Sequence, residues 1–421
     1  MAQLSDDCFA FSGPLLPVAE MEQLIAERVA PVAEIEEVAL AAALGRVVAA
    51  DVVATEDLPP FDNSAVDGFA VRHADLSARA ETRLVIVDRA LAGHQASHAL
   101  GRRQAIRIFT GAPMPPGADT VFMQEDCRVE NDIVLVPQGL ERGANSRSAG
   151  EDLRAGAVML PAGRRLTPAD LALAAAEGVT RLCVRRRLKV AVFSTGDEVV
   201  EPGAARPAAA IYDANRHFLR ALLEKFGAAV TDLGILPDAQ AALEGAIAAA
   251  AAEHDLVITS GGVSTGEADH VRAAVEAIGR LVFWRVAIKP GRPVAMGVVP
   301  GKEGNAAFAG LPGNPAAVYV TFVRVVWPLL LRLAGAAPRS LIALPVRAAF
   351  PYRKRRGRRE YVRVSLRAAA GGVEAVKFPR DGAGVITSLT ETDGLVELGE
   401  EMTEIAPGEL VNFLSYADLT A

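Results

Sequence analysis

The stretch 255–271, DLVITSGGVSTGEADHV, joins an apolar run to an amphipathic segment through a glycine loop. A strand, glycine loop and helix in this order offer unpaired backbone N–H groups and a positive helix end to an anion, often a phosphate. The glycine spacing is that of a P-loop, but Glu267 and Ala268 stand where the lysine and the Ser/Thr should follow. The loop therefore predicts an anion site of another kind, with Ser260, Gly261 and Gly262 as contacts.

Acidic residues occur in other loops that follow apolar runs. Glu198, Asp238 and Asp269 are each expected beyond the carboxyl end of a strand, where ligands of open α/β sheets bind. Carboxylates hold Mg²⁺, and Mg²⁺ bridges to phosphate oxygens. The alternative is ordinary first-turn helix charge, which suits Asp269 well. We predict a magnesium-assisted phosphate site with Glu198, Asp238 and Asp269 as metal ligands.

Cationic residues surround a Pro-Gly turn farther along the chain. Lys289 and Arg292 flank this turn and Arg285 lies just upstream, so charge-assisted donors stand beside the glycine loops. In GLPGNP, Pro312 precedes Asn314, which is expected to cap the last long helix and offer its N-terminus to an anion. Solvated surface charge and ordinary capping remain the alternatives for each loop taken alone.

The elements that must position these residues alternate between strand and helix over residues 187–333. This pattern predicts a parallel sheet covered on both faces. Residues 52–140 and 338–421 consist of short strands separated by turns, and they predict a β-rich domain and a C-terminal β-barrel-like domain. Residues 15–51 and 141–186 form a predicted helical and linker domain, with helices at 18–29, 36–45 and 168–177. The fold class is thus α/β multidomain, with a central parallel-sheet domain and flanking β-rich domains.

Bulk properties narrow the classes of function. With 421 residues and a net charge of −7, the chain has several cores and no basic footprint for nucleic acid. Three scattered cysteines argue against a disulfide scaffold and a zinc site. The acidic N-terminus lacks the features of a signal peptide, and no uncharged apolar run reaches the roughly 18 residues of a membrane span. We expect a cytoplasmic protein with no membrane partner.

Eight ordered motifs resemble the molybdopterin molybdenumtransferase family, which includes the E domain of gephyrin. They are FDNSAVDGFAVR, FTGAPMPPGADTVFMQED, GED, FSTGDE, IYDANR, ITSGGVSTGEAD, AIKPGRP and GLPGNP. The resemblance implies an elongated homodimer of four domains in which the β-rich second domain reaches the partner subunit. It also implies that molybdate is inserted into adenylylated molybdopterin, with Mg²⁺ and with release of AMP.

The same resemblance assigns residues. It implies catalytic roles for six residues, Asp67, Thr110, Glu198, Asp238, Asp269 and Lys289, and substrate contacts from Arg147, Asp152 and Arg363. Arg285 and Arg292 stand where the family often has lysine, and Ala383 replaces a frequent serine, so a hydroxyl contact is lost there. We count Ser260, Gly261, Gly262, Arg285, Arg292, Pro312 and Asn314 among the substrate-binding residues.

Two other functions remain open from the sequence. The preceding adenylyltransferase of the same pathway has a fold that resembles residues 187–333 alone, and the flanking β-rich domains argue against it. Such an adenylyltransferase is instead a possible protein partner. A non-catalytic scaffold homologue is the other alternative, to which the departure at Ala383 gives some weight. Molybdate and tungstate have the same charge and nearly the same size, so the sequence does not separate them.

Overall fold

The computed structural model describes residues 15–263, 270–302, 304–338 and 341–420. The chain divides into two compact units. We call residues 51–161 and 168–181 the β-rich unit, and residues 1–50, 162–167 and 182–421 the α/β-barrel unit.

Nine α-helices lie in the described residues. In chain order they are α1 (Val18–Arg28), α2 (Pro168–Ala176), α3 (Asn215–Phe226), α4 (Gln240–Glu253), α5 (His270–Ile278), α6 (Pro315–Thr321), α7 (Trp327–Leu333), α8 (Thr387–Thr390) and α9 (Tyr416–Leu419). A π-helical turn, Phe322–Val326, joins α6 to α7. Helices α1 and α2 confirm the helices expected near 18–29 and 168–177.

The first eleven strands, in chain order, are β1 (Ile35–Ala39), β2 (Val52–Val53), β3 (Asn63–Ser64), β4 (Gly68–Val71), β5 (Thr82–Ala90), β6 (Gln104–Ile108), β7 (Thr120–Met123), β8 (Arg128–Glu130), β9 (Ile133–Val136), β10 (Ser146–Arg147) and β11 (Val158–Leu160). The later strands are β12 (Arg181–Arg185), β13 (Lys189–Thr195), β14 (Val199–Val200), β15 (Ile211–Tyr212), β16 (Ala229–Leu236), β17 (Leu256–Ser260), β18 (Arg280–Arg285), β19 (Ile288–Lys289), β20 (Pro293–Gly301), β21 (Gly304–Leu311), β22 (Leu344–Ala348), β23 (Tyr352–Arg353), β24 (Arg359–Ala369), β25 (Gly372–Lys377), β26 (Gly394–Leu398), β27 (Glu404–Ile405) and β28 (Leu410–Ser415).

The predicted helix at 36–45 is wrong. Residues 35–39 form β1, which pairs with β12, and a short 3₁₀ turn, Leu40–Ala42, follows. Arg46, which is buried, is paired with Glu36 and donates to the carbonyl of Arg185. The contacts with a distant strand therefore override the helical propensity of the alanines.

The β-rich unit is built on one six-stranded sheet with the order β7-β4-β6-β5-β9-β8. Neighbouring residues of β4 point to opposite faces, so Phe69 packs in one apolar cluster and Ala70 in a second. Short pairs, β3 with β10 and β2 with β11, and the helix α2 complete the unit.

The α/β-barrel unit contains a six-stranded sheet with the order β16-β13-β17-β21-β20-β18. Strands β16, β13, β17 and β21 are parallel, as predicted, whereas β20 runs antiparallel to β21. Along β13, Val190 and Val192 pack in one cluster with α1, α3, α6 and α7, and Ala191 and Phe193 pack in another with α4 and α5. Helices therefore cover both faces of the sheet.

The C-terminal strands of the same unit form a barrel. The strand β24 pairs with both β25 and β26, and β22 and β28 close the ring. The short strand β19 adds to this sheet beside β24. The stretch 315–333 is long and apolar enough to span a membrane, but most of it is buried inside the protein, as in a core helix.

Candidate functional site

The carboxyl edge of the central sheet gathers the predicted loops. Strands β13, β17 and β21 end in register, with Ser194 opposite Ser260 and Ser260 opposite Leu311. The turn at 289–293 reaches the same edge for a different reason. It precedes β20, which runs antiparallel, so the start of β20 lies beside the end of β21.

The glycine loop after β17 is closely packed. Gly261 and Gly262 have φ of +96° and +65°. A Cβ at Gly261 would lie 2.9 Å from the Thr195 carbonyl oxygen, and one at Gly262 would lie 2.4 Å from Val271 Cγ2. Only glycine fits here without strain. The Gly261 N–H donates to the Leu311 carbonyl at 3.1 Å, so this N–H holds the sheet edge instead of offering itself to an anion.

The hydroxyl of Ser260 is occupied by protein groups. It donates to the Pro312 carbonyl at 3.1 Å and accepts from Asn215 Nδ2 at 2.9 Å. Asn215 Nδ2 also donates to the Gly313 carbonyl at 2.6 Å. The Ser260 side chain thus joins the loops after β17 and β21 through the first residue of α3, and its predicted substrate contact stays a prediction.

The acidic residues divide between adjacent strand ends. Asp238 accepts a long hydrogen bond, 3.4 Å, from the hydroxyl of buried Thr195. The Glu198 carboxylate lies so close to Gly196 that a Cβ on that glycine would be 2.6 Å from Oε2. Asp269 lies outside the described residues. No cluster of three or more His, Cys, Asp or Glu forms a metal site within the described ranges. Glu198 and Asp238 follow two adjacent strands, β13 and β16, and the metal site stays a prediction.

The side chain of Asn314 does not cap α6, contrary to the prediction from the sequence, while its predicted contact with an anion stays a prediction. Asn314 precedes the helix, and its side chain forms no capping hydrogen bond. Pro315 has no N–H, and the next N–H of the helix, that of Ala316, donates to the Ala383 carbonyl at 2.9 Å. A backbone carbonyl from a loop of the barrel thus satisfies one of the N–H groups that this end of the helix leaves unpaired.

A cleft of about 510 Å³ lies between the 289–293 turn, the start of α6 and the barrel. We call it the basic cleft because five cationic side chains line it: Lys289, Arg353, Arg363, Lys377 and Arg380. Pro312 and Asn314 also line it, and Asp381 supplies one acid. Four predicted substrate or catalytic residues, Lys289, Pro312, Asn314 and Arg363, are therefore brought together.

Arg363 is fixed in the wall of the basic cleft. Its Nε donates to Ser388 Oγ at 3.1 Å and its Nη2 donates to the Gly382 carbonyl at 2.8 Å. Burial lowers the pKa of this guanidinium, which nevertheless stays charged because arginine titrates far above neutrality. Arg285 and Arg292 are exposed, and neither belongs to the lining of the cleft.

Lys289 is held by a buried carboxylate. Its Nζ donates to Glu360 Oε2 at 3.1 Å, and Tyr352 OH donates to the same oxygen at 2.9 Å. Burial alone would raise the pKa of Glu360, but the hydrogen bonds from Tyr352, Lys289 and Arg358 outweigh it and lower the pKa. Glu360 therefore remains a carboxylate at neutral pH.

In the β-rich unit, the structure brings Asp67 and Thr110 together. Asp67 Oδ1 accepts from the Thr110 N–H and from its hydroxyl, both at 2.8 Å. These two bonds lower the pKa of Asp67. Arg147 pairs with Glu151, and Asp152 is exposed, its N–H donating to the Leu58 carbonyl.

Two residues of the motif IYDANR were not singled out from the sequence. Asn215 links two loops, as described, and its Oδ1 is buried without a hydrogen-bond partner in the described part of the chain. Arg216, 3% exposed, is bonded to Asp213, Asp232 and Glu201. The polar residues at the start of α3 were the available signal, but the partners of Asn215, which are Ser260 and Gly313, lie 45 and 98 residues away in the sequence.

Comparison with known proteins covers nearly the whole chain. Residues 16–178 match the family described as "MoeA N-terminal region (domain I and II)", residues 191–332 match "Probable molybdopterin binding domain", and residues 345–416 match "MoeA C-terminal region (domain IV)". The chain is 39% identical to a molybdopterin molybdenumtransferase of Haemophilus influenzae, over 88% of this chain and 91% of that protein. It is 38% identical to one of Nostoc sp., over 89% and 87%.

Solved structures agree with this assignment. The molybdopterin biosynthesis MoeA protein of Pyrococcus horikoshii OT3 superposes with a TM-score of 0.79 at 28% identity, covering 96% of this chain and 100% of that one. A second structure of the P. horikoshii protein gives a TM-score of 0.73 at 31% identity, covering 96% and 99%. Both family matches and overall architecture lead to the same conclusion: the chain belongs to the molybdopterin molybdenumtransferase, or MoeA, family.

Proposed function

We propose that this protein inserts molybdate into adenylylated molybdopterin and releases AMP, with Mg²⁺ as the metal. Insertion of molybdenum during cofactor biosynthesis follows from the family. The observation that supports the finer proposal is the basic cleft, in which Lys289 and Arg363 are both fixed by protein hydrogen bonds at the carboxyl edge of the sheet.

The cleft has the chemistry of an oxyanion site. Molybdate is a dianion, and guanidinium and ammonium groups form charge-assisted hydrogen bonds with such oxygens. Five cations against one lining acid give the cleft a positive balance although the chain as a whole is acidic. Lys289 and Arg363 would bind the oxyanion, and the Ala383 carbonyl, already bonded to α6, takes no part in that contact.

The acidic loops would hold the metal. Carboxylate oxygens are the ligands that Mg²⁺ prefers, and Glu198 and Asp238 supply them at neighbouring strand ends. When bound, Mg²⁺ neutralises the charge on phosphate oxygens of the phosphoanhydride. Thr195 restrains Asp238 through its hydroxyl, and Asp269, from the loop after β17, is the proposed third ligand.

The Asp67–Thr110 pair would act in the same reaction. The two bonds from Thr110 keep Asp67 ionised, so it can order a water or accept a proton from one. Arg147 and Asp152 are the proposed substrate contacts of the same unit. We propose a cytoplasmic homodimer in which this unit serves the partner subunit, and a molybdopterin adenylyltransferase as the protein that supplies the substrate.

Reconstitution tests the proposed function. Purified protein is mixed with adenylyl-molybdopterin, molybdate and Mg²⁺, and AMP is quantified by chromatography. We expect Glu198→Gln and Asp238→Asn each to slow AMP release at least about 100-fold, since each removes a metal-binding charge. Glu244→Gln, at a half-buried position of α4 where the carboxylate accepts from Gln240, is the matched control and should keep wild-type activity. Equal AMP release by the wild type and the three variants would contradict the proposed metal site.

A further inference from the structure

Glu360 is a buried carboxylate directly beneath the basic cleft. It is 1% exposed and accepts from Lys289 Nζ at 3.1 Å, Tyr352 OH at 2.9 Å and Arg358 Nε at 2.7 Å. Two of these donors, Lys289 and Tyr352, also line the cleft. A buried charge is tolerated only when such partners surround it, so Glu360 and its three donors form one hydrogen-bonded unit.

The backbone fixes the same pair. Strand β19 runs parallel to β24 with Lys289 opposite Glu360, and the Arg359 N–H donates to the Ala287 carbonyl at 2.7 Å. Two residues farther on, a Cβ at Gly291 would lie 2.5 Å from Thr321 Cγ2. The segment that carries Lys289 is thus held by the barrel on one side and packed against α6 on the other.

The hydrogen-bond inventory of Lys289 shows what this arrangement does. An ammonium has three N–H donors. One is used by Glu360, and a second is within reach of Tyr352 OH at 3.5 Å, whose own proton goes to Glu360. One N–H is left for a ligand, on a side chain that would otherwise sample many rotamers.

We propose that Glu360 is a positioning residue that orients the Lys289 ammonium for the oxyanion before it binds. This inference rests on the proposed function, in which the basic cleft takes molybdate. Arg363 needs no such residue, because Ser388 and the Gly382 carbonyl already fix it. Ordering the lysine in advance removes an entropy cost from binding, as preorganisation does in general.

A double-mutant cycle tests the proposal through the KM for molybdate. The variants are Glu360→Gln, Lys289→Ala and the two combined, assayed by AMP release at saturating adenylyl-molybdopterin. We expect Glu360→Gln to raise the KM about tenfold, with a kcat within about threefold of wild type. The KM of the double variant should equal that of Lys289→Ala. An increase in KM that adds to that of Lys289→Ala would overturn the proposal, because Glu360 would then act through another group.

Two further variants separate positioning from folding. Glu400→Gln, which breaks an ion pair with Arg359 in the same barrel, should leave the KM for molybdate unchanged. If Glu360→Gln does not fold, Tyr352→Phe takes its place. That variant should raise the KM about threefold, and the increase should vanish in the Lys289→Ala background. A KM equal to wild type in Tyr352→Phe would then refute the inference.

Binding without turnover distinguishes this inference from the proposed function. Equilibrium dialysis of molybdate alone against wild type, Lys289→Ala and Glu360→Gln measures occupancy of the cleft. If wild type binds no molybdate, the oxyanion role of the cleft fails, and the positioning proposal fails with it. If Lys289→Ala binds as well as wild type, Lys289 takes no part in oxyanion binding, and the positioning proposal alone fails. If Lys289→Ala loses binding and Glu360→Gln does not, the positioning proposal alone fails.

Discussion

Removing the Arg216 side-chain charge should strongly destabilise the α/β-barrel unit. Arg216 is 3% exposed and Asp213 is 4% exposed, and their side chains are bonded at 2.9 Å. Asp232 and Glu201 complete the network. The substitution Arg216→Gln leaves the buried Asp213 carboxylate without its cation, and breaking a buried pair in this way costs about 3–5 kcal/mol. We therefore expect the free energy of unfolding to fall by that amount at pH 7.

The pH dependence of this loss follows from Asp232. Burial alone would raise its pKa, but the bonds from Arg216 and from the Gly234 N–H outweigh that effect and lower it. A lowered pKa adds stability that is present above the unfolded value of about 3.9 and is lost as the pH falls through the folded value. Without Arg216, the part of this contribution that comes from Arg216 is lost, while the Gly234 N–H still bonds to Asp232. The difference in the free energy of unfolding between wild type and Arg216→Gln should be largest near pH 7 and should become smaller below about pH 4.

Tryptophan fluorescence during urea denaturation measures this loss, because both tryptophans, Trp284 and Trp327, belong to the α/β-barrel unit. Arg367→Gln is the control. It breaks an exposed cross-strand pair with Glu374 and should cost less than about 1 kcal/mol. A cost below about 1 kcal/mol for Arg216→Gln, or a cost that stays constant on acidification, would refute the reasoning.

Three further predictions concern packing, charge and reactivity. Gly310→Ala should cost about 1–3 kcal/mol in urea denaturation, because its Cβ would lie 2.3 Å from Val263 Cγ1, whereas Gly245→Ala in α4, with open space around the Cβ, should stabilise by up to about 1 kcal/mol. The idea is wrong if the two variants are equally stable. Asp67→Asn removes the charge that Thr110 stabilises and should slow AMP release about 100-fold, and a rate near wild type would exclude Asp67 from the reaction. Burial raises the pKa of the Cys127 thiol to about 11. In a mass-spectrometric time course at pH 8, iodoacetamide should therefore label the exposed Cys183 at least about tenfold faster than Cys127. Equal rates would show that Cys127 is accessible.

Much of the architecture could be predicted from local patterns. The alternation of strand and helix after residue 187 predicted the covered parallel sheet, and strand ends predicted that the loops after β13, β17 and β21 share an edge. Local propensity failed at residues 35–39, because pairing with β12 depends on a strand about 140 residues away. It also did not show that β20 runs antiparallel.

The candidate site was predictable in its residue types and not in its contacts. Lys289 and Arg363 were assigned by motif, and the structure places both in one cleft. Nothing local indicated that Glu360 holds Lys289, that Asn215 occupies the Ser260 hydroxyl, or that the Ala383 carbonyl fills the N-terminus of α6. Each of these contacts joins segments far apart in sequence, so only the folded chain reveals them.

The most direct test of the central claim is stoichiometric. Molybdenum bound to the protein–molybdopterin product is measured by mass spectrometry of the metal, and AMP is measured in the same single-turnover reaction with and without molybdate. The proposed function predicts one AMP released for each molybdenum inserted, and AMP release that falls to background when molybdate is omitted. AMP release at the same rate without molybdate, or molybdenum insertion without AMP, would contradict it.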